Sequence, residues 1–174
     1  SCIVPRKAIQ ELTRSLSDEK ECKVSLVENQ ASFSFSNVTL TTKLIDGTFP
    51  DYQRVIPEGN DKQLEVSTKA FSAAVDRVSA ISSEKSRSIK FNLASSSLIL
   101  SASSPEEGSA TEELEVSYEG DALEIGFNSG YLLDIIRQIE SDSVRLMLAD
   151  AASPTIVTEE DEAGALYVLM PMRV

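Results

Sequence analysis

Histidine is absent from the 174 residues, and with it go the commonest general base, the usual activator of a nucleophile and the most frequent nitrogen ligand for transition metals. Two cysteines, Cys2 and Cys22, are too few for a disulfide framework, and their spacing fits no zinc or redox motif. Tryptophan is missing and aromatic residues make up 6% of the chain, which speaks against a surface that stacks the bases of a single strand. No run approaches the roughly 18 to 20 apolar residues of a membrane span, and the start lacks the basic, apolar and small-residue order of a signal sequence. The expectation is a cytoplasmic protein that engages no membrane. Gly-x-Ser-x-Gly, a phosphate loop and a dinucleotide fingerprint are all lacking, so the serine-rich stretches at 94–97 and 101–104 read as turns, not nucleophile sites. Neither catalysis nor a cofactor or metal is expected.

Bases are also scarce: 16 against 28 acids, for a formal charge of -12. Residues 105–124 carry eight acids (Glu106, Glu107, Glu112, Glu113, Glu115, Glu119, Asp121, Glu124) and no base, a stretch that repels nucleic acid. What the chain does have is a 41% apolar content, enough for a real core. Ser1 leads directly into an apolar segment, so the chain is expected to be a piece of a longer one.

A repeat organises the apolar residues. Val4, Ile9, Leu12 and Leu16 stand at offsets 0, 5, 8 and 12, and the same offsets give Val66, Phe71, Ala74 and Val78, then Phe127, Leu132, Ile135 and Ile139. At about 100° per residue, the last three positions of each set share one sector of a helix. Each copy is therefore a strand end followed by an amphipathic helix. Three stretches of strand character follow each helix: 22–27, 31–35 and 38–44, then 88–93, 97–102 and 111–118, then 143–149, 155–159 and 165–171. The predicted fold class is α+β, with strand-helix-strand-strand-strand units placing helices on one face of antiparallel sheets. One such unit leaves its sheet half-covered and needs a second copy to close a core. Residues 46–62, rich in Gly, Pro, Asp and Asn, read as an interdomain connector. The expected domains are then 1–45, half of one domain, and 63–174, a complete pair of repeats at about 63–121 and 122–174.

Offsets 3 and 10 fall on the helix face opposite the apolar stripe. They hold Lys7 and Arg14, Lys69 and Asp76 with Arg77 on the flank, and Gly130 and Arg137. Four of these six positions are basic in an acidic chain, which concentrates positive charge on one kind of surface and suits sequence-independent phosphate contact. An ordinary solvated helix face is the alternative.

Four stretches carry a more specific signal: Ile3-Val-Pro-Arg-Lys7, Leu44-Ile-Asp-Gly-Thr-Phe-Pro-Asp-Tyr-Gln-Arg-Val55, Ile125-Gly-Phe-Asn-Ser-Gly-Tyr-Leu-Leu-Asp134 and Tyr167-Val-Leu-Met-Pro-Met-Arg-Val174. In this order and spacing they resemble the bacterial DNA polymerase III beta subunit, the sliding clamp. The resemblance implies a DNA-clamp fold, a non-catalytic processivity factor and a ring of two protomers around double-stranded DNA. It implies that the chain holds the second half of the middle domain and all of the last one. It also implies partners: the DNA polymerase III alpha subunit, the clamp loader and other clamp-binding-motif proteins, repair proteins among them, docking a short peptide in a pocket. Carried over by motif, that pocket would include Pro50, Arg54 and Val55, Asn128 and Tyr131, and Val168, Leu169, Met170, Pro171, Met172, Arg173 and Val174. DNA would face Arg6 and Lys7, together with Arg14, Lys69, Arg77 and Arg137. The homodimer contact of the full-length protein would use Ala80, Ile81 and the edge strand at Glu112, Glu113 and Leu114. Ser86 and Gln53 depart from the family pattern, where a bulkier residue and a base are common.

Two rivals remain on sequence grounds. One is a metal-dependent hydrolase using Glu159, Glu160, Asp161 and Glu162 or the 105–124 run, although consecutive acids in a turn more often form a solvated loop. The other is a peptide-binding or structural repeat protein with no part in DNA metabolism.

Overall fold

The computed structural model describes residues 2–16, 21–82, 87–159 and 165–174. Two compact units divide the chain, Ser1–Asp51 and Tyr52–Val174.

In the first unit, Pro5 precedes α1 (Arg6–Ser15), its fixed φ directing the chain into the first turn while its carbonyl accepts the Ala8 N–H at 2.9 Å. Strands β1 (Lys23–Val27), β2 (Gln30–Phe35) and β3 (Val38–Lys43) follow as an antiparallel meander in that order. Strand β2 alternates as period-2 geometry requires: Ala31, Phe33 and Phe35 turn inward under Leu12, while Ser32 and Ser34 pair their hydroxyls with Thr41 and Thr39 at 3.1 Å. Ile9, expected in the core-facing stripe, is 47% exposed, and Ala8 is buried in its stead. This core is a single sheet face with few side chains, and it covers a narrower stripe of helix than three apolar positions occupy.

The second unit carries the other two copies. It runs β4 (Lys62–Ser67), α2 (Thr68–Ser79), β5 (Ser88–Ala94), β6 (Ser97–Ser104), β7 (Gly108–Glu115), β8 (Ser117–Tyr118), β9 (Leu123–Asn128), α3 (Ser129–Ile136), β10 (Ser143–Leu148), β11 (Thr155–Glu159) and β12 (Tyr167–Leu169). The copies exchange their leading strands. Strand β4 pairs with β10 of the next copy, Leu64 opposite Leu146 and Val66 opposite Val144. Strand β9 returns the exchange on β5, Ile125 opposite Phe91 and Phe127 opposite Ile89. The sheets are therefore β12-β11-β10-β4-β8 and β7-β6-β5-β9. Neither copy could complete its sheet alone, which is the physical content of the pairing.

The reading of a continuous strand over 111–118 needs correction at both ends. Strand β7 begins earlier, after a turn where Gly108 takes φ +96°, a left-handed conformation that glycine adopts without a steric cost. The chain then breaks at buried Val116, whose N–H donates to Ser96, and crosses to the other sheet as β8. Helix α3 is likewise shorter than the apolar offsets suggest. It ends at Ile136, and single-turn hydrogen bonds carry the chain on to Ile139, still only 8% exposed.

One core fills this unit. Phe71 of α2, Phe91 of β5 and Phe127 of β9 meet edge-on at ring separations of 5.8 and 5.0 Å, and all three are fully buried. Helix α2 buries Phe71, Ala74, Val75 and Val78, and α3 buries Leu132, Leu133 and Ile136, spacings of three and four that keep each stripe on one side. Each large side chain buried this way contributes about 1.5 to 3 kcal/mol. Among the described residues no helix is long and apolar enough to cross a membrane.

Candidate functional site

Asn128 ends β9 and caps α3. Its Oδ1 accepts the N–H of Gly130 at 2.9 Å and of Tyr131 at 3.2 Å, satisfying two of the helix's free amides. The cap directs the first turn of α3 so that Tyr131 stands in solvent, 65% exposed. Beside α3 run β12 and the residues after it, where Leu169 is buried and Met170 is 60% exposed. Between them lies a groove of about 620 Å³ lined by Asn128, Tyr131, Asp134, Ile135, Val168, Leu169, Met170, Pro171 and Met172. Its walls are mainly apolar, its two methionines adapt their shape to what they contact, and Asn128 and Asp134 supply polar groups at one side.

Seven of the residues singled out from sequence thus come together here. Asp134 and Ile135 were missed. They lie three and four positions beyond Tyr131 and so share its helix face, a spacing that could have found them. The remaining candidates lie elsewhere. Arg54 and Val55 belong to a single 3-10 turn, Tyr52–Val55, and do not line the groove. Arg173 is exposed beyond the groove, and Val174 lies over the sheet against Gly126 and among Ser88, Lys90 and Ser101. Pro50 is exposed near the end of the first unit. Gln53 sits in the same 3-10 turn as Arg54, and Ser86 falls outside the described residues.

The charged candidates divide too. Arg6, Lys7 and Arg14 are exposed on α1, Arg14 paired with Glu11. Lys69 and Arg137 stand on one concavity of about 740 Å³ between α2 and α3, which also holds Asp76 and Asp142. Its shape is held at one end by Thr68, which donates its N–H to the Asp142 carbonyl and its hydroxyl to that of Ser141, both at 2.9 Å. Arg77 turns away from that concavity. Its guanidinium donates to both carboxylate oxygens of Glu112 on β7, with Nε to Oε2 at 3.0 Å. That bidentate pair holds the Glu112 carboxyl below the usual carboxylate range and raises the Arg77 pKa in return.

Strand β7 forms one edge of its sheet. Glu113 and Glu115 are exposed along it, Glu112 and Leu114 are half-covered, and α2 packs beside it before ending at exposed Ala80 and half-buried Ile81. Among the described residues no group of three or more Cys, Asp or Glu side chains is placed to hold a metal ion. Glu159 instead accepts the Glu140 N–H, and Glu160, Asp161 and Glu162 fall outside the described residues.

Against known proteins, residues 53–173 match the model of the DNA polymerase III beta subunit, C-terminal domain, and residues 1–51 that of its central domain. The chain belongs to the DNA polymerase III beta subunit family. Among curated members, the beta sliding clamp of Caulobacter vibrioides is 45% identical over 99% of this chain and 46% of its own length. That of Escherichia coli is 37% identical over 99% of this chain and 48% of its own. A crystal structure of the Bartonella birtlesii beta subunit bound to griselimycin superposes with a TM-score of 0.94 at 48% identity, over 99% of this chain and 47% of that one. The chain spans about half the length of the beta subunits it matches. Its antiparallel sheets and flanking helices are the α+β clamp fold.

Proposed function

We propose that the protein to which this chain belongs is a cytoplasmic, non-catalytic processivity factor: a homodimeric ring that encircles double-stranded DNA without reading its sequence. It tethers the DNA polymerase III alpha subunit, the clamp loader and repair proteins by a short peptide laid in the groove beside α3. One observation carries the reading: in a member of the beta subunit family, Tyr131 of α3 and Met170 beyond β12 both stand exposed while lining one apolar groove. Large apolar side chains left in water beside a concavity are the usual mark of a surface that receives a partner. Griselimycin bound to the Bartonella and Pseudomonas aeruginosa relatives supports a small-ligand site in this family.

Arg6, Lys7 and Arg14 on α1, and Lys69 and Arg137 between α2 and α3, supply the phosphate-facing charge in this reading. Ala80, Ile81 and the acidic β7 edge at Glu112, Glu113 and Leu114 supply the protomer contact. Arg54, Val55, Pro50, Arg173 and Val174 remain proposed contributors to the peptide site from outside the groove described above.

Topology tests the proposal. Intact protein loaded by its clamp loader onto a circular plasmid stays associated through dilution and is lost when one cut opens the circle. Equal retention on circular and linear plasmid would overturn the ring reading, and nucleotide incorporation or metal-dependent hydrolysis by the purified protein would overturn the non-catalytic one.

A further inference from the structure

The 168–172 wall of the groove is suspended between two sheets. At one end β12 is hydrogen-bonded to β11, Val168 opposite Ile156 and Leu169 opposite Thr155. At the other, Met172 bridges antiparallel to Gly126 of β9, donating its N–H to the Gly126 carbonyl at 2.7 Å. Met170 and Pro171 between them belong to neither ladder, and proline has no N–H to give one. The far anchorage therefore decides where the wall stands relative to Tyr131.

Gly126 is buried, and its backbone has no positive φ that would require glycine. Space requires it. A Cβ at this position would lie 2.3 Å from Val174 Cγ1, 2.7 Å from Val174 Cγ2 and 2.7 Å from the Met172 carbonyl oxygen. One of those neighbours is backbone and cannot swing aside as a side-chain tip can.

We infer that Gly126 is a positioning residue for the peptide groove: its missing side chain lets residues 172–174 lie on β9, and that contact holds Val168–Met172 opposite Tyr131. The inference rests on the peptide-tethering reading. Sequence alone gives no hint of it, since a glycine inside a strand shows a close approach without showing what approaches.

The test is Gly126→Ala in the intact protein, titrated calorimetrically with a peptide copying the carboxy-terminal tail of the polymerase III alpha subunit. Affinity should fall at least about tenfold, because a site whose supporting contact shifts by an ångström loses its fit. Hydrogen exchange should speed up at the Met172 amide while amides of the β5–β9 ladder keep the protection of the parent. Should the alanine variant not fold, Val174→Gly carries the test: removing the side chain that lies on Gly126 should weaken peptide binding and deprotect Met172. Tyr131→Ala serves as the control for the groove itself. Parental affinity and a protected Met172 in Gly126→Ala, beside a loss in Tyr131→Ala, would sink the positioning role and leave the groove reading intact. Loss of protection throughout the sheet in Val174→Gly as well would also sink it, as a folding effect. No binding by the parent would overturn both readings.

Discussion

The sheet β7-β6-β5-β9 has two edges, and the chain treats them in opposite ways. The β9 edge is closed by its own tail through the Met172 bridge, and closing it builds an apolar groove. The β7 edge, eight residues long, has no strand beyond it among the described residues, and Glu113 and Glu115 stand exposed along it. An uncovered strand of that length invites pairing with another chain, and like charges repel a second copy of the same edge while admitting a strand of opposite charge. One sheet thereby offers two kinds of contact: side chains in a groove at one edge, backbone and charge at the other.

Deleting Met170–Val174 should separate these roles most sharply. Binding of the polymerase tail peptide, measured by calorimetry, should be abolished, since the deletion removes a wall of the groove and the Met172 bridge together. The β7 edge is untouched, so sedimentation should still find the intact protein as a dimer. Unchanged peptide affinity would remove the proposed site.

A smaller effect is expected at the other edge. Replacing Glu113 and Glu115 by lysine reverses the charge there, and protomer association in the intact protein should weaken by about tenfold, with the loss growing at low salt. Peptide affinity should not move. A dimer indifferent to the reversal would place the protomer contact elsewhere.

How much of this could be read beforehand follows from what each signal encodes. The helical stripe of α2 was legible because a buried face leaves a period in the sequence, and Phe71, Ala74 and Val78 report it directly. On α3 the same offsets found buried Leu132 but pointed to Ile135, half-buried at the groove, where the helix buries Leu133 and Ile136. The exchange of β4 and β9 between copies was not legible, because a period of two says which face of a strand is buried and nothing about which strand lies beside it. Ile9 misled for a related reason: the offset marks a direction on the helix, while burial depends on how much sheet lies beneath. At the groove, Asn128 and Tyr131 and the 168–172 run follow from family motifs, whereas Ile135 reads from its offset as core and Asp134, the last residue of its motif, carries no role of its own. Arg77 shows the limit of the helical wheel. Its angle put it on the flank of the charged face, but a long side chain reaches well beyond its own angle, and it reaches Glu112 on β7.

That ion pair gives the mildest and most diagnostic test of the open edge. Arg77 holds the Glu112 carboxyl below the usual carboxylate range, chiefly by hydrogen bonding. An acid whose folded-state pKa is lowered stabilises the fold above its unfolded value, and that contribution is lost as pH falls through the lowered one. Arg77→Ala should therefore lower the melting temperature slightly at neutral pH, the Arg77 side chain being largely exposed and the pair screened by solvent. The gap between parent and variant should close once pH drops below the ordinary carboxylate range, and concentrated salt at neutral pH should narrow it as well. A gap that persists unchanged at low pH and high salt would mean that Arg77 acts through the packing of its aliphatic stem beside β7, and that the charge on this edge is set without help from α2.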